Sequence, residues 1–412
     1  MKRRRLKYKN ILIAVIIVLV LTFSISLFTN KEVKMIDLKE KTIDEIKEYA
    51  NKVNLKLEIK EEHHKEIKKG KLISQNIKVD SIITKGEQLT VVISLGRLGK
   101  DYYLKHKVDE SGNIPIMMYH GIHNLKNDDT AYTGGNIDKD GYQRTAEAFR
   151  GDLEFYYDNN YRMIKLKDYI DRKIDVEVGK SPIILTFDDG LKNNIRIMGL
   201  DDKEELIIDP NSAIGILESF KKKYPDFNVT ATFFLNGDLF EQPEYNEKIL
   251  NWLIDNGYDI GNHSYSHLDF TKIKNKEVEQ EVGKLYSLLD ELIKNKYVNI
   301  VSLPFGSPYD VNHKNFSHIL KSTYEGKTYE TKSTLRVGWE SELSPFHKNF
   351  DPLFLKRIRA YDNLGNNFDI IHNFKLLEEN RYISDGDKDT IVIPSEKIDK
   401  IAEQTELEII KY

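Results

Sequence analysis

The residues of this chain best suited to chemistry stand in two short clusters, Thr186-Phe187-Asp188-Asp189-Gly190 and His263-Ser264-Tyr265-Ser266-His267. Together they offer two carboxylates and two imidazoles, enough for one divalent-metal site and one further acid for proton transfer. A metal held by Asp189, His263 and His267 would have three protein ligands and open positions for water and substrate, the pattern of a catalytic site. Such a metal lowers the pKa of bound water toward neutrality and polarises a substrate carbonyl. Asp188 is then available as general base. The donor set suits zinc, cobalt, nickel or iron. Each cluster also has a plainer reading: an Asp pair after a strand caps a helix, and two histidines four apart sit on a surface. Two histidines and a carboxylate also make the facial triad of non-haem iron oxygenases. That triad usually sits on an all-β fold, which this domain does not read as. The occurrence of both clusters at strand ends favours a hydrolytic metal site.

The elements that must carry these residues are legible. The apolar run Ile183 to Leu185 reads as a buried strand leading into Asp188, and Tyr258-Asp259-Ile260-Gly261 as another leading into His263. Chemistry at the carboxyl ends of strands is the habit of α/β sheets and barrels. A helical turn after the second strand would set His263 and His267 on one face. Further strands are expected at 114–118, 229–235, 299–303 and 334–337, and helices at 145–159, 212–223, 245–256 and 276–295. The alternation implies a mostly parallel sheet, open or closed. Residues 191–210 form a polar insertion after the first cluster. His120 ends the first strand, where it either faces the site or packs as a core histidine.

The chain has 412 residues, 62 basic and 66 acidic, and no cysteine. That balance argues against a nucleic-acid binder, and the missing cysteines exclude disulfides, thiolate ligands and a Cys nucleophile. No Gly-rich phosphate loop or Gly-x-Ser-x-Gly elbow is present. Lys2, Arg3, Arg4, Arg5, Lys7 and Lys9 precede an uncharged run from Ile11 to Phe28. This predicts an uncleaved single-pass transmembrane helix in a cell membrane, with the N-terminus cytoplasmic and the bulk of the chain extracytoplasmic. The expected organisation is 1–30 basic tail and anchor, 31–97 a small α+β module, 98–112 a polar linker, and 113–412 the large domain. In the module, Thr42-Ile43-Asp44-Glu45 reads as a capping box, followed by strands at 55–59, 71–74 and 89–93. With Asp37-Leu38, Gly70-Lys71-Leu72-Ile73-Ser74-Gln75 and Lys85-Gly86, the module resembles a PASTA domain. That resemblance implies association with cell-wall peptidoglycan, or a spacer role.

The large domain resembles the polysaccharide deacetylases of the NodB-homology type, a carbohydrate esterase family. The resemblance rests on Thr186-Phe187-Asp188-Asp189-Gly190, His263-Ser264-Tyr265-Ser266-His267, Ala231-Thr232-Phe233-Phe234 and Pro115-Ile116-Met117-Met118-Tyr119-His120. It implies a distorted (β/α) barrel, Asp188 as base, and Asp189, His263 and His267 as ligands of one divalent metal, zinc first. It also implies hydrolysis of N-acetyl, less often O-acetyl, groups on a cell-wall or surface polysaccharide, peptidoglycan being the first candidate. The family's third motif opens with an arginine that orients the base; here Ser302 stands in its place, in Ser302-Leu303-Pro304-Phe305-Gly306. Phe305 keeps a backbone N–H for an oxyanion hole, and Trp339 either lines the groove or packs in the core. Ile370-Ile371-His372 is the nearest stretch to the family's last motif, which makes His372 the expected general acid. Arg357 and Arg359 are the candidates to supply the missing arginine's charge. Without it, the alternative is a catalytically impaired scaffold that binds glycan. A metal hydrolase of small amides or esters is a third reading.

Overall fold

The computed structural model describes residues 32–124 and 142–412. The expected membrane helix at 11–28 lies outside the described residues. Among the described residues no helix is long and apolar enough to cross a membrane. The chain separates into two compact units between Tyr102 and Tyr103.

In the first unit, helix α1 (Ile43–Lys52) starts where its sequence directs. The Thr42 hydroxyl accepts from the Glu45 N–H, and the Glu45 carboxylate accepts from the Thr42 N–H at 2.8 Å. Strands β1 (Lys56–Glu62), β2 (Leu72–Gln75) and β3 (Gln88–Ser94) form a sheet in the order β1-β3-β2. β1 runs parallel to β3 and β2 antiparallel to it. Ile46 and Ala50 of α1 pack against Leu72, Leu89, Val91 and Ile93 of the sheet.

The second unit is built on a nine-stranded sheet, every pairing of which is parallel. Its strands are β4 (Ile116–Tyr119), β5 (Tyr161–Met163), β6 (Ser181–Phe187), β7 (Thr232–Leu235), β8 (Asp259–Asn262), β9 (Ile300–Ser302), β10 (Ser333–Leu335), β11 (Phe354–Leu355) and β12 (Ile358–Arg359). The order is β11-β10-β9-β8-β7-β6-β4-β12, with β5 on the amino-terminal part of β6. Helices α2 (Ala146–Asp158), α3 (Ala213–Lys223), α4 (Asn246–Asp255), α5 (Asn275–Ile293) and α6 (Ile370–Asn380) accompany it. All seven residues of β6 are buried, as a strand covered on both faces requires. Along β7 the pleat divides the core: Phe233 and Leu235 pack toward Ile216 and Leu217 of α3, while Phe234 packs with Ile184, Ile300 and Leu335 on the inner face.

The edge strands β11 and β12 lie at opposite ends of this order, yet only Lys356 and Arg357 separate them. Three residue steps span about 10–11 Å at most, roughly two strand spacings. The sheet therefore curls until its edges nearly meet, leaving a seam that Lys356 and Arg357 cross. Strands of two residues carry no periodicity of their own, so neither β11 nor β12 was foreseeable from pattern. The stretch 98–112 also differs from a plain linker: residues Lys100–His106 are helical, and Val108, Glu110 and Ser111 are buried in the second unit. The Glu110 carboxylate accepts from the Tyr382 hydroxyl and the Val392 N–H, both at 2.7 Å.

At the seam, Gly338 lies against the Arg357 backbone: a Cβ there would sit 2.5 Å from the Arg357 carbonyl oxygen. Gly338→Ala is expected to push the seam outward and cost about 1–3 kcal/mol, read as a lower urea midpoint at unchanged m-value. An unchanged midpoint would mean that the seam yields freely.

Candidate metal centre

Asp188 and Asp189 leave β6 at its carboxyl end. The Asp188 N–H is still held by the Tyr119 carbonyl of β4 at 2.9 Å. Asp189 and Gly190 then both take left-handed backbone, φ +72° and +62°. For Gly190 this is also a matter of space, since a Cβ would meet the Leu235 side chain at 2.8 Å. The two carboxylates leave on different sides, Asp188 toward Arg357 and Asp189 toward the histidines. The second cluster is not the helical turn its spacing suggested. Ser264 and His267 are left-handed, at φ +63° and +54°. The Ser264 N–H bonds the Asn262 side chain, and the Tyr265 and Ser266 N–H groups are taken up by the carbonyl and carboxylate of Glu281 on α5. α5 thus moulds the loop that brings the two imidazole rings to 4.8 Å. Left-handed backbone at non-glycine residues is costly and concentrates at functional sites.

One ligand atom each from Asp189, His263 and His267 can be chosen so that all lie within 4.8 Å of one another. His263 Nε2 is 3.2 Å and His267 Nε2 3.5 Å from Asp189 Oδ1. His263 Nδ1 is 2.8 Å from the Ser302 carbonyl oxygen. Donating there, it leaves Nε2 with its lone pair toward the cluster, the usual tautomer arrangement of a metal-ligating histidine. That Nε2 is buried and lacks a hydrogen bond, an orphan that a cation would satisfy. Two imidazole nitrogens and one carboxylate oxygen fit a divalent transition-metal ion.

Asp188 is almost wholly buried, and so is the arginine beside it, Arg357. The guanidinium grips the carboxylate with both ends, Nη1 to Oδ1 at 2.8 Å and Nη2 to Oδ2 at 2.7 Å. Nη1 also donates to Thr186 Oγ1, Nη2 to Ser302 Oγ, and Nε to the Arg336 carbonyl. All five N–H groups of the guanidinium therefore have acceptors. Ser302 adds a hydroxyl to Asp188 Oδ2 at 2.9 Å. Burial drives the Asp188 carboxyl upward, but Arg357 and the neighbouring histidines more than offset this and hold it well below the usual carboxylate range. Asp189 is likewise raised by burial and brought below its ordinary value by His263. With three hydrogen bonds received and about four lone-pair sites on a carboxylate, Asp188 keeps room for one more proton donor.

The remaining candidates fall on either side of the site. His120 Nε2 is 4.0 Å from Asp188 Oδ2, and its buried ring is pushed toward the neutral form by desolvation, with Asp188 and Asp189 opposing. Asn194, from the base of the 191–210 insertion, donates to the His120 carbonyl at 2.7 Å. The insertion itself forms a hairpin of Ile197–Leu200 with Leu206–Ile208. Phe305 is half-exposed, left-handed at φ +59°, with its ring 4.6 Å from that of His267. Trp339 is exposed at 43%. His372 occupies the first turn of α6, where its N–H donates to the Asp369 carboxylate and its ring lies against Phe368. Among the described residues, no hydrogen bond, ion pair or ring contact joins His372 to the cluster. Arg359 stands outside the Asp188 network, its guanidinium over Tyr361.

Residues 175–323 match the polysaccharide deacetylase family. Residues 33–95 match the PASTA domain. The chain thus carries one region that matches each of these two families. A peptidoglycan-N-acetylglucosamine deacetylase of Bacillus cereus is 32% identical over 113 residues, 27% of this chain and 32% of the relative. The chain therefore spans about a third of that relative's length. Among solved structures, the Streptococcus pyogenes deacetylase PplD in complex with acetate is 17% identical, covering 66% of this chain and 99% of that one, with a TM-score of 0.45. The peptidoglycan deacetylase PdaC from Bacillus subtilis is 25% identical, covering 36% of this chain and 57% of that one, with a TM-score of 0.25. His120 and Arg357 both lie outside the residues of the deacetylase match.

Two outcomes follow for the second unit. Titration with zinc or cobalt should reach one equivalent, and His263→Ala should weaken binding by at least 10–100-fold, the scale on which even outer-shell changes act; wild-type affinity in that variant would exclude His263 as a ligand. Arg357→Met leaves Asp188 buried without its partner and should cost about 3–5 kcal/mol of stability, measured by urea unfolding. A cost below 1 kcal/mol would mean that Asp188 finds water.

Proposed function

We propose that this chain is a metal-dependent deacetylase that hydrolyses N-acetyl groups on a cell-wall polysaccharide, peptidoglycan first among the candidates. The observation that carries the proposal is the pairing of a metal-competent Asp189–His263–His267 cluster with an adjacent, rigidly held carboxylate, Asp188. The matched regions and the named relative support it. A bound divalent cation, zinc by preference, would serve as Lewis acid and lower the pKa of water. Asp188 stays ionised, and its open lone pair is the place for a proton taken from the attacking water. Hydrolysis then breaks the carbonyl–nitrogen bond, acetate leaves as a carboxylate, and the amine takes a proton. We assign its delivery to His120, 4.0 Å from Asp188, in preference to His372: the neutral imidazole takes up the proton that Asp188 received from water and passes it to the amine. Phe305 and Trp339, half-exposed at the carboxyl-end loops, are assigned to the substrate groove. The reading of an impaired scaffold rests on Ser302 and on the departure at the last motif; the guanidinium of Arg357 at Asp188 answers the first of these. The basic residues and the apolar run 11–28 support a tether that holds the catalytic region outside the cytoplasm.

Acetate release from purified peptidoglycan should be abolished by a chelator and restored by zinc or cobalt. Asp188→Asn and His120→Ala should each lower kcat about 10²–10⁴-fold, and His372→Ala should leave it within about twofold. Full activity in Asp188→Asn would end this reading. Stoichiometric metal with no acetate from any N-acetylated glycan would favour the scaffold instead.

A further inference from the structure

The segment 361–371, between β12 and the body of α6, spends conformational strain on displaying apolar side chains. Leu364, Gly365, Asn367 and Phe368 are all left-handed, at φ +55°, +82°, +52° and +59°. Leu364 is 79% exposed, and Phe368 and Ile371 are also exposed. The loop is nonetheless tied down. The Asp369 carboxylate accepts from the N–H groups of Asn363 and Gly365, each at 2.8 Å. Tyr361 donates to the Asn367 carbonyl, and Asn373 to the Phe368 carbonyl. Arg144 holds Asp362 at 2.7 Å. Strain kept in place by so many ties, with an apolar patch as its product, marks an interaction surface.

The position of the loop says which surface. The Ala360 N–H bonds the Met118 carbonyl, so the loop leaves the sheet beside the carboxyl end of β4, where His120 stands. The ring of Tyr142 meets the edge of His120 at 5.0 Å, and Arg144, two residues on, is the group that anchors Asp362. Across the mouth of the sheet, beyond β6, β7 and β8, Phe305 flanks His267. Apolar groups therefore stand on both flanks of the metal centre. Between Leu364 and Phe368 the chain exposes Asn366 and Asn367, a mixture suited to sugar rings, which present C–H faces and hydroxyls together. The segment holds Asp362 and Asp369 and no Lys or Arg, unlike a surface built for anionic lipid.

We propose that the loop 361–371 is a glycan-binding rim that selects a polymer over a small acetylated molecule by holding sugars next to the one being deacetylated. The proposal rests on the deacetylase reading for its reaction, but its binding claim is separable. The test replaces Leu364 and Phe368 with asparagine in the full-length chain, since asparagine tolerates left-handed backbone while removing the apolar surface. Calorimetric affinity for the N-acetylglucosamine hexamer should fall about tenfold, equivalent to 1.4 kcal/mol. The ratio of kcat/KM on the hexamer to that on 4-nitrophenyl acetate should fall by a similar factor, through KM. Leu364→Asn alone repeats the test if the double variant fails to fold. Hexamer affinity within twofold of wild type, or a loss seen only on lipid vesicles, overturns the rim. Loss of hexamer affinity in a protein that releases no acetate from any substrate supports the rim and overturns the deacetylase reading.

Discussion

The bidentate pair of Arg357 and Asp188 is the interaction on which this structure turns. Burying an isolated carboxylate or guanidinium is costly, and an ion pair repays that cost only with good geometry and every remaining donor satisfied. Here the guanidinium places its five N–H groups on Asp188, Ser302, Thr186 and the Arg336 carbonyl. Those acceptors come from β6, β9 and the segment after β10, and Arg357 itself sits in the two-residue bridge between the sheet's edges. Closing the sheet and orienting the carboxylate are one event, because the same side chain does both.

The metal-competent cluster depends on a second set of supports. Helix α5 reaches back through Glu281 to shape the histidine loop. The Ser302 carbonyl fixes the His263 tautomer while the Ser302 hydroxyl serves the arginine pair. Ser302 therefore joins the two halves of the site, one through its backbone and the other through its side chain. Ser302 is thus no vacancy beside Asp188: its hydroxyl accepts from a guanidinium arriving from the seam.

Much of this was legible in the sequence. The capping box at Thr42, the long helices and the strands leading into Asp188 and His263 have clear periodicity and sit where the pattern put them. The cluster of Asp189, His263 and His267 was also readable, since these residues are neighbours of strong strand signals, and their donor atoms do come together. What escaped has a physical cause in each case. The seam strands are two residues long and owe their pairing to closure of the sheet. Arg357 could be suspected only as a spare charge, because no local pattern tells that a residue 169 positions away will need it. The spacing of the two histidines suggested a helix, but their approach comes from left-handed turns stabilised by a distant helix. His372 was read from likeness to a short motif, and the local sequence gives no sign of its place in the first turn of α6, with its N–H on the Asp369 carboxylate.

The same separation has a consequence for the life of the chain before it is folded. Asp188 emerges from the ribosome 169 residues ahead of its partner, and at about 5–20 residues per second that is a delay of order ten seconds. Throughout that interval the first strands can assemble only around a carboxylate still seeking water. Until the arginine arrives, Asp188 lacks the guanidinium that offsets its burial, and the seam between the edges of the sheet lacks the residues that cross it.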